Sequence, residues 1–282
     1  MPEDKNPTRV ERILVAVDAS SHSRAALEAA AELAASLEVE LVGIFVEDIN
    51  LMRLAELPIA VEIETPTGQV RRIDPGRLRR QIAWRARRAQ RMMAEMARQR
   101  DIPWRFYIRK GHIHEELLAA STSDDLVILG KAGWSGRKNL GSTARAMLMQ
   151  AQAVVLFLEE DTHLQPSFFV VYDGSPESRR ALHLTAHLAE LRQGFITVGI
   201  RAKDEPRARE LQHEAAELLR RVGRQPAHIR WLIGPSHQRL AHLMAEAGQK
   251  CLLVVPRSDD PGEHRAIASL LGQVHCPVLV VE

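Results

Sequence analysis

The 282-residue chain has only two cysteines, Cys251 and Cys276, both in its second half and without a CxxC spacing. That argues against a disulfide framework or a cysteine-built zinc site, and leaves two buried reduced thiols as the reading. No apolar run reaches the roughly 20 residues that span a bilayer, and the opening MPEDKNPTRVER lacks the apolar stretch of a signal peptide. A cytoplasmic location is therefore expected. Charge of one sign is also missing: the formal net charge is +2, so the chain as a whole gives no reason to expect a nucleic-acid partner. Absent too are a GxGxxG after the first apolar run, a Gly-Lys-Ser/Thr Walker ending, a GxSxG elbow and an HExxH pair. These absences leave no dedicated catalytic apparatus and no metal site to assign. His183 with His187, and His112 with His114, lack a third ligand and read as ordinary polar histidines.

What is present is a repeat. Residues 12–27 read RILVAVDASSHSRAAL and residues 167–182 read SFFVVYDGSPESRRAL, with Val15/Val170, Asp18/Asp173, Ser20/Ser175, Ser23/Ser178, Arg24/Arg179 and Leu27/Leu182 in register. Each copy opens with a short apolar run ending in Asp, followed by a Ser-rich turn and an Ala/Leu-rich stretch of helical period. Second strands follow at 40–46 and 195–200, then long helices at 77–100 and 207–222. Apolar strands recur at 126–130 (LVILG), 154–158 (VVLFL), 252–256 (LLVVP) and 278–282 (VLVVE). Nearly continuous apolar strands alternating with helices signal a parallel sheet covered on both faces. The expected fold is α/β: two tandem, doubly wound, Rossmann-like domains with helices on both faces, 1–160 and 161–282. The acidic, proline-ended EEDTHLQP at 159–166 marks the boundary. Copy one is longer mainly through a Pro/Gly-punctuated insertion at 48–76, read as a lid, a partner surface or a long loop.

Ligands of such sheets bind beyond the carboxyl ends of the strands. Asp18 stands there, able to meet a ribose or a cation, or to cap a turn. So does the stretch from Gly130 through Gly133 and Gly136 to Gly141 and Ser142, which leaves an apolar strand and enters a helical segment at 143–150. Glycines let the backbone approach phosphate oxygens, helix N-terminal amides meet their charge, and Lys131, Arg137 and Lys138 add positive charge. These features point to a mononucleotide rather than a dinucleotide.

In its Asp18 strand with a Ser-rich turn, its strand ending at Val46, its Gly111 turn and its Gly130-x-x-Gly133 … Gly141-Ser142 loop, the chain resembles the universal stress protein family in its tandem form. The family's ATP-binding loop reads G-x2-G-x9-G-[ST], whereas here seven residues separate Gly133 from Gly141, two fewer. The resemblance implies a nucleotide site of Ala16, Val17, Asp18, Val46, Leu129, Gly130, Gly133, Gly141, Ser142 and Thr143. Backbone beside Asp18 and Val46 would contact adenine, Asp18 would reach the ribose or a metal, and the glycines with Ser142 and Thr143 would hold phosphates. ATP or another adenine nucleotide, ADP or AMP, with or without magnesium, is the implied ligand.

The implied role is a nucleotide-responsive stress or regulatory protein rather than an enzyme, with slow ATP hydrolysis compatible. The family also implies pairing of the closing strands, between the tandem copies or between two chains. In copy two, Pro256 stands for Gly130 and His264-Arg265 for Gly141-Ser142, so no family-type ATP site is expected there. The alternative is a nucleotide-free scaffold acting through protein or polyanion contacts, with the arginine-rich segment 71–100 as its source.

Overall fold

The computed structural model describes residues 10–18, 21–57, 59–63, 69–131, 140–159, 163–234, 236–246, 250–258 and 260–282. The first half runs β1 (Arg12–Ala16), α1 (Ser21–Leu37), β2 (Glu40–Asp48), α2 (Ile49–Glu56), β3 (Val61–Ile63), β4 (Val70–Arg72), α3 (Pro75–Gln99), β5 (Trp104–Gly111), α4 (Ile113–Ala120), β6 (Asp125–Gly130), α5 (Ser142–Gln150) and β7 (Val154–Leu158). The second runs β8 (Ser167–Tyr172), α6 (Pro176–Leu191), β9 (Phe195–Ala202), α7 (Glu205–Arg221), β10 (His228–Ile233), α8 (Ser236–Glu246), β11 (Leu252–Pro256), α9 (Pro261–Leu271) and β12 (Val278–Val281).

Ten strands form one sheet in the order β10-β9-β8-β11-β12-β7-β6-β1-β2-β5. Read outward from the middle, the halves have the same order, β7-β6-β1-β2-β5 and β12-β11-β8-β9-β10. All pairs within a half are parallel, and the halves meet where β12 pairs antiparallel with β7, Leu279 opposite Leu156. The apolar central strands explain the layering. Leu14, Val127, Val155 and Phe157 point to one face, against α4 and α5, while Ile13, Val15, Ile128 and Leu156 point to the other, against α1 and α3. The second half repeats this with α8 and α9 on the first face and α6 and α7 on the second.

The insertion at 48–76 holds α2 and the antiparallel β3–β4 hairpin among its described residues. Asp48 caps α2 by accepting from the Asn50 N–H (2.8 Å). Helix α3, capped by Asp74 and opened by Pro75, buries Ile82, Ala86, Ala89, Met93 and Met96. Its apolar stripe lies so close to β2 that a Cβ on Gly43 would fall 2.3 Å from Met93 Sδ and 2.8 Å from Phe106 Cδ2. Glycine is required there for helix and sheet to touch.

Candidate functional site

Strands β6, β1 and β2 are neighbours, so their carboxyl ends bring the two sequence features of copy one to one rim. Val17 is tied to β2 by its N–H donating to the Ile44 carbonyl (2.9 Å). Asp18 follows it, exposed, with its N–H donating to the Oγ of buried Ser23 in the first turn of α1 (3.0 Å). That bond ties the residue after β1 to the first turn of α1 and holds Asp18 at the rim. Val46 lies half-buried on β2, and Leu129 is buried at the end of β6 beside Gly130.

The ends of the glycine loop are held to each other: Gly141 N–H donates to the Lys131 carbonyl (3.0 Å), while Lys131 N–H donates to Leu158 on β7 (2.7 Å). Gly141 then serves as the N-cap of α5, with no side-chain cap hydrogen bond. Four N–H groups at a helix start lack partners within the helix, and among the described residues no side chain caps this one. This open N-terminus, beside Gly130 and across from Asp18, is the feature suited to an anion. Gly133, Arg137 and Lys138 lie outside the described residues.

One expectation is corrected. Lys131, read from sequence as a cation for phosphate, is 4% exposed and turned into the junction of the two halves. Its Nζ donates to the carbonyls of Val274 (2.7 Å) and Cys276 (2.8 Å) and stands 3.6 Å from Glu159. Burial pushes its pKa down, with Glu159 and Cys276 opposing. The pull is local: at the antiparallel junction, the turn leading into β12 presents free carbonyls beside the end of β6.

The equivalent place in copy two mirrors this. Arg257, following Pro256, is also 4% exposed and donates to Leu148 O (2.5 Å), to Ala151 O and to the Glu282 carboxylate. Each half therefore sends one cation across the junction, Arg257 to the carbonyls at the end of α5, where the helix dipole favours positive charge, and Lys131 to the turn between α9 and β12.

The rim of copy two differs from that of copy one in three ways. Registers pair Ala16 with Ile44 and its counterpart Val171 with Gly199, so Arg201 occupies the position of Val46. Its guanidinium binds Asp173, the counterpart of Asp18, through Nε (3.1 Å) and Nη2, and reaches Glu263 through Nη1 (2.5 Å). Burial works against the Asp173 carboxylate, yet hydrogen bonds from Ser175 and Arg201 hold its pKa below the usual range. The cavity left between Val171, Arg201, Leu232, Val255 and Ile267 is about 10 Å³, enough for one water at most. Secondly, α9 begins about one turn earlier than α5, so His264 lies buried inside the helix. Thirdly, Asp260 caps α9, accepting from the Gly262 N–H (2.9 Å), so a fixed carboxylate stands where an anion would bind.

A model of the universal stress protein family matches residues 9–158. The chain belongs to this family. Solved structures extend the likeness over both halves. A universal stress protein from Archaeoglobus fulgidus DSM 4304 is 16% identical, with a TM-score of 0.74, over 96% of this chain and 98% of its own. A functionally unknown protein from Pseudomonas aeruginosa PAO1 is 14% identical, with a TM-score of 0.60, over 97% and 93%. The cytoplasmic domain of a prokaryotic cation chloride cotransporter is 10% identical, with a TM-score of 0.53, over 96% and 95%. At these identities the likeness is one of fold. No curated protein matches the chain.

For this universal stress protein, the rim gathers Ala16, Val17, Asp18, Val46, Leu129, Gly130, Gly141, Ser142 and Thr143 on the ends of three adjacent strands and one helix; of the residues that the family resemblance implies, Gly133 alone lies outside the described residues. His112 and His114 lie at the start of α4, beyond the end of β5, with ring centroids 6.1 Å apart, and His112 Nδ1 meets Asn50 Nδ2 (3.1 Å). Among the described residues no three His, Cys, Asp or Glu side chains gather as a metal site requires, and no helix is long and apolar enough to cross a membrane. Sequence reading missed Arg201 and Asp260. The signal for Arg201 was available, since a charged residue extends the apolar run FITVGI to the depth of Asp173.

Proposed function

We propose that the first half of this universal stress protein binds an adenine nucleotide, ATP, ADP or AMP, and that the molecule acts as a nucleotide-responsive regulator rather than an enzyme. The observation that carries this reading is the contrast between the two rims. The α5 N-terminus has a glycine N-cap and, among the described residues, no side-chain cap, whereas the α9 N-terminus is already capped by Asp260. In this reading, the amides of Ser142 and Thr143 take phosphate oxygens, and the Ser142 hydroxyl adds a donor. Backbone beside Val17 and Val46 meets the base, and Asp18 accepts from the ribose or helps to hold a magnesium ion that would offset phosphate charge.

Copy two does not bind nucleotide in this reading, because Arg201, Asp173 and Glu263 already satisfy one another. The roles assigned to Ser142, Thr143 and Asp18 are those of positioning, and no side chain is assigned to move a proton in a reaction.

The direct test is mass spectrometry of the purified, denatured protein for ATP, ADP or AMP, together with thermal shift on adding millimolar ATP and magnesium. Bound nucleotide or a clear stabilisation is expected. Absence of both would favour the nucleotide-free scaffold. A sharper test is Gly141→Asp, which gives α5 the kind of cap that α9 has. Its melting temperature should hold or rise slightly, since an N-cap carboxylate adds a few tenths of a kcal/mol over glycine. Its nucleotide affinity should fall at least about tenfold through charge repulsion. Unchanged affinity would remove the α5 N-terminus from the site.

A further inference from the structure

Residues 69–111 hold 14 of the chain's 38 Lys and Arg but only 3 of its 36 Asp and Glu, so this stretch carries +11 and the remaining residues −9. The near-neutral total conceals a polar molecule. Most of the excess lies on α3, whose apolar stripe is spent on the core. Its outward face carries Arg80, Trp84, Arg87, Arg88, Arg91 and Arg98 at helical spacing, all exposed, with Glu95 the one acid among them. From Arg80 to Arg98 the row is about 27 Å long at 1.5 Å per residue.

Three properties separate this row from an ordinary solvated helix face. Among the described residues Arg87, Arg88, Arg91 and Arg98 meet no carboxylate within ion-pair distance. The contacts of Arg91 and Arg98 are with the Arg87 and Ala94 carbonyls of their own helix. Like charges at i,i+3 and i,i+4, as in Arg88/Arg91 and Arg87/Arg91, destabilise a helix on their own, and an anion would relieve that repulsion. Trp84 is 53% exposed in the middle of the positive charge, with the Arg88 guanidinium 5.4 Å from its ring centroid. A flat ring beside a guanidinium, within a row of cations, is the chemistry that stacks a base while neighbouring arginines meet phosphates.

We propose that the outer face of α3 binds single-stranded nucleic acid, phosphates along the arginine row and a base against Trp84. An acidic peptide would use the charge but gain nothing specific from the exposed indole. A bilayer would need apolar side chains along the same face. The exposed Leu54, Leu57 and Ile59 precede α3 at one end only, whereas the row runs on past them to Arg98. The surface lies on the α1/α3 face of the sheet, so its occupation does not depend on the nucleotide reading of the β6-β1-β2 rim.

The test titrates the full chain into fluorescein-labelled 20-nucleotide oligouridylate and oligothymidylate, followed by anisotropy from 50 to 200 mM salt. Binding is expected at low salt, with log K falling against log salt at a slope of about −3, from some four phosphate contacts at about 0.7 each. Arg87→Ser with Arg91→Ser should flatten that slope by about 1.4. Trp84→Ala should weaken binding by about tenfold or more at constant salt slope, and Trp84→Tyr should restore most of it. Melting curves of the variants check folding, and if Trp84→Ala fails to fold, the comparison of Trp84→Tyr with the arginine pair decides. Absence of binding at 50 mM salt and 100 μM protein would overturn the proposal. So would binding indifferent to Trp84, or tighter binding to phosphatidylserine vesicles or polyglutamate than to either oligonucleotide.

Discussion

Lys131 and Arg257 show how far a residue's role depends on what the fold places beside it. By position in the chain Lys131 belongs to a glycine loop, and its charge there suits a phosphate. The two carbonyls that capture it come from residues 143 and 145 positions later, a distance that no local pattern encodes. Arg257, its counterpart, donates to the Leu148 and Ala151 carbonyls and to the Glu282 carboxylate. Arg257→Ala should lower unfolding free energy by about 3 kcal/mol or more, because Glu282 and two helix-end carbonyls lose a buried partner. Chemical denaturation measures this directly, and a loss below 1 kcal/mol would mean that water replaces the guanidinium. Lys131 is different in sign. The native state binds its proton less tightly than the unfolded chain, so burial of the ammonium opposes folding at neutral pH. That opposition fades as pH rises towards its ordinary 10.5. Stability of the parent relative to Lys131→Met should therefore increase between neutral pH and 10.5, as pH-dependent melting would show.

Among the elements, the pairs α5/α9 and β2/β9 carry the difference between the halves. The order of strands and helices was legible in the sequence because apolar runs of five or six residues alternate with helical periods, and because Asp18 and Asp173 mark equivalent strand ends. The substitution of Pro256 for Gly130 was legible too. The extra first turn of α9 was not, since Pro261 and the Asp260 cap start a helix where an alignment to copy one expects loop. The insertion at 48–76 holds a helix and a hairpin that its Pro and Gly residues disguised.

Acid should expose the plug formed by Arg201, Asp173 and Glu263. Asp173 has its pKa held low in the folded state, so its stabilising contribution is complete above about pH 4 and disappears as pH falls through the folded value. Asp173→Asn should be less stable than the parent at pH 7 and converge with it in acid. A constant gap from pH 7 to pH 2 would show that the carboxylate's charge is not what Arg201 needs.

On the scale of the whole molecule, the ten strands make one sheet because β7 and β12 each offer the other an edge. Their side chains are buried almost completely: Phe157, Leu156, Val278 and Leu279 are all at 1% exposure or less. A second contact closes the junction above the sheet, where Arg192 on the end of α6 meets Glu32 on α1 (2.7 Å). A fragment of residues 1–160 would leave β7 uncovered, and such an edge pairs with its own kind. Light scattering should find that fragment dimeric, while a stable monomer would show that β7 can be covered from within its own half.

The antiparallel junction has a further consequence for traffic around the molecule. Strands of the first half end on one rim and strands of the second half end on the opposite rim, so the open helix start at Gly141 and the sealed one at Asp260 face away from each other. Helix α5 begins at the first rim and finishes in the grip of Arg257, which springs from the second. Helix α9 leads, the other way, from the second rim towards carbonyls gripped by Lys131 at the root of the first loop. The two ends of the protein are thus joined by a crossed pair of struts, and whatever settles on one rim bears on a rod whose far end is bolted to the other.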